Sequence, residues 1–151
     1  MNRICLQSPV GKLVLTESDG AISGLCFGEC GAVGESTPLI MEAARQLEEY
    51  FEGKRRAFDL PLSPQGTSFQ KKVWQALCDI PFGETRSYAE IARAVNSPKA
   101  FRAVGMANHR NPVLIIVPCH RVVGADGSMT GYAGGMDKKR FLLELEGIRI
   151  K

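Results

Sequence analysis

The stretch "SYAEIARAVNSPKAFRAVGMANHR", residues 87–110, predicts two short helices joined by a tight turn. Its opening letters, SYAE, have the spacing of a capping box, which begins a helix that runs to about residue 95. Asn-Ser is a typical turn dipeptide, so we expect Ser97 as the N-cap and Pro98 as the first residue of the second helix. Two short helices joined in this way make a helix-turn-helix.

The helical pattern fits both a DNA-binding pair and an ordinary pair of core helices, and charge favours the first. Lys99, Arg102 and Arg110 all fall on or beside the second helix. Residues 65–151 hold 13 Lys and Arg against 7 Asp and Glu, whereas residues 1–64 hold 6 against 9. The basic half is the natural candidate for binding a polyanion, although a solubilising surface charge would give the same count.

The chain before residue 64 has the pattern of a small sheet followed by one helix. Apolar and β-branched runs within residues 4–29 are separated by "SPVG" and "SDG", which predicts two or three strands joined by hairpins. Thr37, as the N-cap before Pro38, then begins a helix that Gly53 ends.

A connector follows this helix, and "TSFQ" at residues 67–70 is a second capping box that begins a helix of the basic half. We therefore place a domain boundary near residue 64. It separates an N-terminal α/β domain, residues 1–64, from a mostly helical C-terminal domain, residues 65–151. An antiparallel sheet segregated from most of the helices indicates the α+β class.

Composition places the chain among ordinary soluble globular proteins, since 44% of its 151 residues are hydrophobic and 23% are charged. No apolar run approaches the ~18 residues needed to cross a bilayer. The first dozen residues also lack the apolar core of a signal peptide. We expect no membrane contact and a cytoplasmic location, or a nuclear one in a eukaryote.

Downstream of the helix pair, "VLIIVPCHRVVGADG" at residues 113–127 predicts a buried strand that ends at a nucleophile. Val117 precedes a proline and is therefore extended, so we expect the strand to end there. Pro118 suits the first position of a helical turn. Cys119 would lie near the start of that turn, where backbone N–H groups and the His and Arg that follow would lower the pKa of its thiol.

The alternative for any free cysteine is a buried, unreactive thiol. The five cysteines show no regular spacing, which favours free thiols in a reducing compartment. We prefer the structural interpretation for four of them, which are Cys5, Cys26, Cys30 and Cys78. For Cys119 we prefer the nucleophile.

The segment "RAVGMANHRNPVLIIVPCHRVVGADGSMTGYAGGMDKKRFLLELEG", residues 102–147, resembles the signature region of the O6-alkylguanine-DNA alkyltransferases, also called methylated-DNA–protein-cysteine methyltransferases. Its core is Pro-Cys-His-Arg, preceded by Asn-Pro and followed by Gly-Tyr-x-Gly-Gly, which is a highly specific combination. The resemblance continues upstream through "IPFGETRSYAEIA" and covers nearly the whole chain. It implies a DNA repair protein that flips an O6-alkylguanine out of duplex DNA and moves the alkyl group irreversibly, once per molecule, to its own cysteine.

The same resemblance implies a catalytic set of four residues. Cys119 is the alkyl acceptor, His120 takes its proton through a water, and Glu146 orients the histidine. Tyr88 protonates or hydrogen-bonds the departing guanine and so makes it a better leaving group. Spacing alone would not link Glu146 to Cys119; without the resemblance, Glu146 would be interpreted as a solvated glutamate at a helix end.

DNA and substrate contacts are implied for seven further residues. Arg102 enters the base stack in place of the flipped base, and Asn111 ties the recognition helix to the active-site loop. The other five are Ala103, Val122, Tyr132, Ala133 and Gly134. The last three belong to a loop that closes over the guanine. Ala133 stands where some relatives carry a serine, and Met106 replaces a smaller residue of their recognition helices.

The resemblance also implies an RNase H-like N-terminal sheet and helix, and a recognition helix that docks in the minor groove. It implies double-stranded DNA with an alkylated guanine as the partner and no cofactor. We expect a monomer and leave open cooperative binding along DNA. We also expect no metal site, because the only histidines are His109 and His120 and the pair Cys26 and Cys30 is a weak signal.

Three rival classes stay open at this point. An alkyltransferase-like lesion-binding module shares the scaffold but lacks the acceptor cysteine, so Cys119 argues against it. A cysteine hydrolase would use Cys119 and a histidine, but the chain has no oxyanion motif, and the helix-turn-helix would be unexplained. A transcription regulator of this family would carry a further domain, for which 151 residues leave no room.

Overall fold

The computed structural model describes residues 1–29 and 34–149, and the chain forms two compact units. The first comprises Met1–Gln65 with Pro112–Leu114, and the second comprises Gly66–Asn111 with Ile115–Lys151. Antiparallel strands characterise the first unit and helices the second. The predicted α+β class is confirmed, while the division into domains at residue 64 stays a prediction.

The sheet of the first unit has its strands in the order of the chain. They are β1 (Asn2–Leu6), β2 (Leu13–Ser18) and β3 (Ala21–Phe27). Both neighbouring pairs are antiparallel, as the hairpin pattern predicts. The turn between β2 and β3 places Asp19 at φ 51° and Gly20 at φ 79°, the two positive angles that a two-residue hairpin loop of this type needs.

Helix α1 (Pro38–Phe51) begins and ends where the sequence predicts. The Thr37 hydroxyl accepts a hydrogen bond from the Ile40 N–H at 3.1 Å, and the proline occupies the first turn. Gly53 follows its end at φ 76°. The apolar face of α1 packs on β2 and β3 and closes the core of the first unit.

The second unit is built on three helices that contact one another. They are α2 (Ser68–Cys78), α3 (Tyr88–Ala94) and α4 (Phe101–His109). Both predicted capping boxes are present, with Thr67 and Ser87 as the N-caps. The buried Trp74 of α2 donates its indole N–H to the Ala107 carbonyl of α4 at 2.8 Å, which fixes the position of α4 on α2.

The start of α4 differs from the prediction. The sequence predicts Ser97 as the N-cap and Pro98 as the first helical residue, whereas the helix begins three residues later, after Ala100 and without a side-chain cap. Residues 97–100 form a turn, closed by the Ala100 N–H donating to the Ser97 carbonyl at 2.8 Å. Asn96, at φ 60°, reverses the chain directly after α3, so these residues complete the turn before a helix can start.

The predicted strand over Val113–Val117 is wrong. Val113 forms an isolated bridge to Leu25 of β3, and the residues after it turn. Ile115 has φ 71°, a left-handed conformation that β-branched residues rarely adopt and that costs about 1–3 kcal/mol. Every side chain of the run is nevertheless buried, at most 7% exposed. A compact loop therefore satisfies the same apolar signal as a strand.

Two further features complete the second unit. Strands β4 (Arg86–Ser87) and β5 (Val122–Val123) form a short parallel pair, and helix α5 (Met136–Leu145) follows.

Within residues 1–29 and 34–149, no helix combines the length and the apolar character needed to cross a bilayer. The same ranges contain no cluster of three His, Cys, Asp or Glu side chains placed to hold a metal ion.

The expectation of buried structural thiols is wrong for three cysteines. Cys5, Cys26 and Cys78 are exposed. The first two lie on the outer strands of the small sheet, and Cys78 is the last residue of α2. Cys30, and with it the pair formed with Cys26, lies outside the described residues.

Candidate active site

Cys119 begins a short 3-10 turn, Cys119–Arg121, that follows Pro118. The proline is the N-cap of this turn rather than its first residue, and the Cys119 N–H donates to the Val117 carbonyl at 2.8 Å. The side chain is 2% exposed, in contrast to the other cysteines of the described chain. The turn therefore directs this one sulfur into the packed interior.

Burial raises the pKa of the Cys119 thiol to about 11, contrary to the predicted lowering. A hydrogen bond with the Asn111 side chain and the charge of Lys139 favour the thiolate, but burial outweighs them. The prediction relied on positive charge from His120 and Arg121. His120 is neutral, and Arg121 binds the carboxylate of Glu146. The resting protein thus holds a thiol, which needs a base before it can act as a nucleophile.

His120 is fully buried and faces Glu146. Its Nε2 lies 2.7 Å from the Oε2 of the carboxylate. Burial lowers the pKa of His120, so the imidazole is neutral at neutral pH, and its one proton lies on Nε2, where it is donated to the carboxylate. Nδ1 is then unprotonated; it is buried and has no hydrogen-bond partner among the described residues. A histidine in this tautomer can accept a proton at Nδ1.

Glu146, the C-cap of α5, binds two adjacent side chains of the 3-10 turn. Besides His120, Arg121 donates to it, from Nε to Oε1 at 2.8 Å and from Nη2 to Oε2 at 3.0 Å. Burial acts to raise the pKa of Glu146, but the hydrogen bonds and charges of His120 and Arg121 outweigh it and hold the pKa at about 2. Arg121 thus has a structural role, and Glu146 is an interior carboxylate rather than a solvated helix end.

Tyr88, the first residue of α3, is connected to the chain before α5 through its hydroxyl. Its oxygen lies 2.6 Å from Oγ1 of Thr130. Lys139 of α5 donates to the same Thr130 oxygen at 3.1 Å and to the Val122 carbonyl at 2.7 Å. Burial lowers the pKa of Lys139 to about 8, while the charge of Cys119 acts to raise it. A buried ammonium therefore lies close to both the acceptor sulfur and the tyrosine.

Two asparagines hold the loop around the acceptor. The Asn111 amide donates to the Val117 carbonyl at 2.7 Å, in addition to its hydrogen bond with the Cys119 thiol. Asn108, on α4, donates to the Cys119 carbonyl at 3.4 Å. Both side chains are buried, so the end of α4 and the loop that carries Cys119 are joined by side-chain hydrogen bonds.

Helix α4 presents two of the predicted DNA-contact residues to solvent. Arg102 and Ala103 are exposed on α4. Phe101 and Met106 are also 51% and 54% exposed, which is unusual for large apolar side chains. The surface of α4 is therefore both basic and apolar.

The remaining predicted residues lie after the 3-10 turn. Val122 and Tyr132 are buried, and burial raises the pKa of the Tyr132 hydroxyl well above its usual range. Ala133 is exposed and Gly134 partly exposed. Adjacent residues of this loop therefore differ in exposure: Tyr132 packs inward, while Ala133 stays at the surface.

Sequence reasoning missed three residues of this site, which are Asn108, Thr130 and Lys139. Nothing in "MDKKRF" distinguishes Lys139 from the lysine before it. Helical spacing offered a signal, since Leu142 and Leu143 follow Lys139 by three and four residues and share its buried face. A lysine on the apolar face of an amphipathic helix is rarely buried without a purpose.

These groups make a proton-transfer site around one sulfur. Cys119 supplies the nucleophile, and His120 supplies an unprotonated nitrogen whose cationic form the Glu146 carboxylate would stabilise. Tyr88 adds a hydroxyl donor. Such a set can activate a thiol and protonate a leaving group.

Comparison with known proteins identifies one family for nearly the whole chain. The model of the 6-O-methylguanine DNA methyltransferase ribonuclease-like domain matches residues 1–64, and that of the 6-O-methylguanine DNA methyltransferase DNA binding domain matches residues 68–148. A methylated-DNA–protein-cysteine methyltransferase of Methanosarcina acetivorans is 61% identical over 148 residues, which cover 93% of this chain and 95% of that protein.

Solved structures give the same result. The crystal structure of the Mycobacterium tuberculosis O6-methylguanine methyltransferase is similar with a TM-score of 0.86 at 45% identity, over 95% of this chain and 91% of that one. Mycobacterium tuberculosis OGT in complex with DNA gives a TM-score of 0.84 at 45% identity, over 94% and 90%. The resemblance of the signature region is confirmed, and the chain belongs to the 6-O-methylguanine DNA methyltransferase family.

Proposed function

We propose that this protein repairs double-stranded DNA by moving the alkyl group of an O6-alkylguanine to the sulfur of Cys119. Support comes from the family and from the buried cluster of Cys119, His120 and Glu146. The observation that carries the assignment is the protonation state of His120, the residue directly after Cys119. Its Nε2 is bound to the carboxylate, and its buried Nδ1 has no partner within the described residues and is therefore available as a base.

The transfer begins with the loss of the thiol proton. His120 accepts this proton at Nδ1 by way of a water molecule, and the Glu146 carboxylate stabilises the imidazolium that results. The thiolate then attacks the alkyl carbon, so a sulfur–carbon bond forms as the bond from carbon to O6 breaks.

The electron pair of the broken bond stays on the purine. Tyr88 gives the purine a proton, so that it leaves as neutral guanine. The imidazolium proton returns through solvent to the Tyr88 phenolate. The products are a thioether at Cys119 and an unmodified guanine.

The DNA surface that we assign to this function is α4, docked in the minor groove. Its exposed Arg102 would take the place of the flipped base, and the exposed Phe101 and Met106 are of the kind that wedge between base steps there. Contacts to the DNA or to the alkylated guanine are assigned to Ala103, Val122, Tyr132, Ala133 and Gly134, and Asn111 is assigned the role of tying α4 to the loop of Cys119. Base flipping is required because the O6 atom cannot be reached inside the stacked duplex.

The proposed reaction consumes the protein. A thioether is a poor leaving group, and the mechanism contains no second nucleophile and no cofactor that would regenerate the thiol. One alkyl group is therefore transferred per molecule. The protein is proposed to act as a monomer in the cytoplasm.

The test is intact mass after incubation with duplex DNA that contains O6-methylguanine. We expect a gain of one methyl group, mapped to Cys119, and no gain in Cys119→Ser, which should still bind DNA. Cys78→Ser, which removes an exposed thiol, is the matched control and should react normally. Binding without any mass gain would indicate a lesion-binding module, and sustained turnover without a modified protein would indicate a hydrolase; either result would overturn the proposal.

A further inference from the structure

A chain of three polar side chains leads from the buried lysine to the tyrosine of the site. Lys139 Nζ lies 3.1 Å from Thr130 Oγ1, and Thr130 Oγ1 lies 2.6 Å from the Tyr88 hydroxyl oxygen. The ammonium has two further acceptors, the carbonyl oxygens of Val122 at 2.7 Å and of Gly131 at 3.5 Å. Its three N–H donors therefore each have an oxygen, and one of these oxygens belongs to Thr130.

The first link of this chain has a fixed direction, because of what each group can donate. An ammonium only donates, so Thr130 accepts from Lys139 and keeps its own hydroxyl proton for another acceptor. Within the described residues, the Tyr88 oxygen is the only acceptor that the Thr130 hydroxyl contacts. The Thr130 oxygen has a second lone pair, so the 2.6 Å contact admits either hydroxyl as the donor. In the arrangement in which Thr130 donates to Tyr88, the Tyr88 proton points away from this chain and is available for a further acceptor.

We propose that Thr130, held by Lys139, is a positioning residue that turns the Tyr88 hydroxyl proton toward the leaving guanine. This proposal rests on the function proposed above, in which Tyr88 is the donor to the purine. Without the Thr130 hydroxyl, the Tyr88 hydroxyl would rotate freely and would donate to whatever acceptor or water lies nearby.

The buried charge gives the chain a second effect on Tyr88. Lys139 is 0% exposed, and no described carboxylate lies within hydrogen-bonding distance of its Nζ. Its charge is therefore not neutralised locally and acts through Thr130 on the tyrosine oxygen. As Tyr88 gives up its proton, a positive charge at the end of the chain stabilises the phenolate that develops.

The test compares Thr130→Val, which keeps the shape and removes the hydroxyl, with Thr130→Ser, which keeps the hydroxyl. The measurement is the single-turnover rate of Cys119 alkylation by O6-methylguanine duplex DNA at saturating protein, together with the DNA dissociation constant. Loss of one such hydrogen bond predicts a rate about tenfold lower in Thr130→Val, with the dissociation constant unchanged. Thr130→Ser should stay within about threefold of the original rate, by the same estimate.

A double-mutant cycle distinguishes positioning from packing. In a Tyr88→Phe background there is no hydroxyl to orient, so Thr130→Val should change the rate by less than about twofold. The loss caused by Thr130→Val should also shrink for a free O6-benzylpurine that carries an electron-withdrawing substituent, because such a purine needs less proton donation to leave.

Three results would overturn the inference. They are an unchanged rate in Thr130→Val, failure of Thr130→Ser to restore the rate, and an equal loss from Thr130→Val with and without the Tyr88 hydroxyl. The proposed function is tested separately, since it predicts alkylation of Cys119 in the unsubstituted protein whatever the effect of the Thr130 substitutions.

Discussion

The imidazole of His120 and the guanidinium of Arg121, neighbours in the chain, bind the same carboxylate of Glu146. The histidine Nε2 lies 2.7 Å from Oε2, while the arginine donates to both oxygens at 2.8 and 3.0 Å. Arg121 also donates to the Ile80 carbonyl at 2.7 Å, so it anchors the carboxylate to the end of the α2 segment. The orientation of the base is therefore set by the arginine that follows it as well as by the glutamate.

Glu146→Gln should slow alkylation of Cys119 by about 100-fold, because an amide cannot stabilise the imidazolium that forms when His120 takes the thiol proton. It should also lower the free energy of unfolding by about 3–5 kcal/mol, since the buried Arg121 charge loses its partner. Single-turnover alkylation and urea unfolding measure the two effects. Glu144→Gln, an exposed change on the same helix, is the control. A rate within threefold of the original would contradict the role of Glu146.

Acid should destabilise the protein in two steps. The folded pKa of His120 lies below 6.5, so its contribution to stability is complete above pH 6.5 and is lost as the pH falls through the folded value. The folded pKa of Glu146 is about 2, so its contribution is complete above pH 4.5 and is lost as the pH falls toward 2. Between pH 4.5 and 2 this loss amounts to about 3 kcal/mol.

Unfolding by urea at a series of pH values measures this loss, with Glu146→Gln and Glu42→Gln compared at low and high salt. The pKa of Glu42 is also about 2, chiefly through a hydrogen bond from Arg45, but its side chain is 40% exposed, whereas that of Glu146 is 0% exposed. Salt should screen the contribution of Glu42 and leave that of Glu146. If acid lowers the free energy of unfolding equally in Glu146→Gln and in the original protein, the buried pair of His120 and Glu146 does not govern the acid sensitivity.

Arg102→Ala should reduce repair of duplex DNA about 100-fold more than reaction with a free O6-benzylguanine base, because only the duplex has to be held open. Alkylation rates on the two substrates give the ratio. Lys99→Ala removes an exposed charge just before α4 and should weaken binding of the duplex, but with the duplex saturated by protein it should leave that ratio unchanged. Equal losses on both substrates in Arg102→Ala would indicate a folding defect instead.

Methylation of Cys119 should lower the melting temperature by several degrees. The sulfur is 2% exposed, and adding a methyl group to a packed site costs about 1–3 kcal/mol. Asn111 binds both the thiol and the Val117 carbonyl, so displacement of the sulfur should reach the end of α4. Calorimetry of the free, methylated and benzylated forms should give successively lower values. An unchanged or higher value for the methylated form would show that the pocket has spare room.

Local signals in the sequence predicted the elements well where a few adjacent residues determine them. The capping boxes at Thr67 and Ser87 and the proline start of α1 are examples, since each depends on side chains within one helical turn. The strand predicted at Val113–Val117 failed because an apolar run signals burial and does not specify backbone conformation.

The chemistry was predictable only in part. The position of Glu146 beside His120 joins residues 26 apart in the chain, and only family resemblance indicated it. The pKa of Cys119 was predicted in the wrong direction because the argument used local N–H groups and charges, whereas burial dominates. Lys139 was missed because lysine is ordinarily exposed, although its spacing to Leu142 and Leu143 places it on the buried face of α5.

The left-handed Ile115 has a consequence for how activity is lost on heating. A conformation that costs about 1–3 kcal/mol persists only while the surrounding packing enforces it. As side chains around the loop loosen, this segment should relax before the helices unfold, and Cys119 lies four residues beyond it. Alkylation of Cys119 should therefore be lost at a lower temperature than the helical circular dichroism signal. On cooling, the helical signal should recover first, and alkylation should recover only when the loop around Ile115 has packed again.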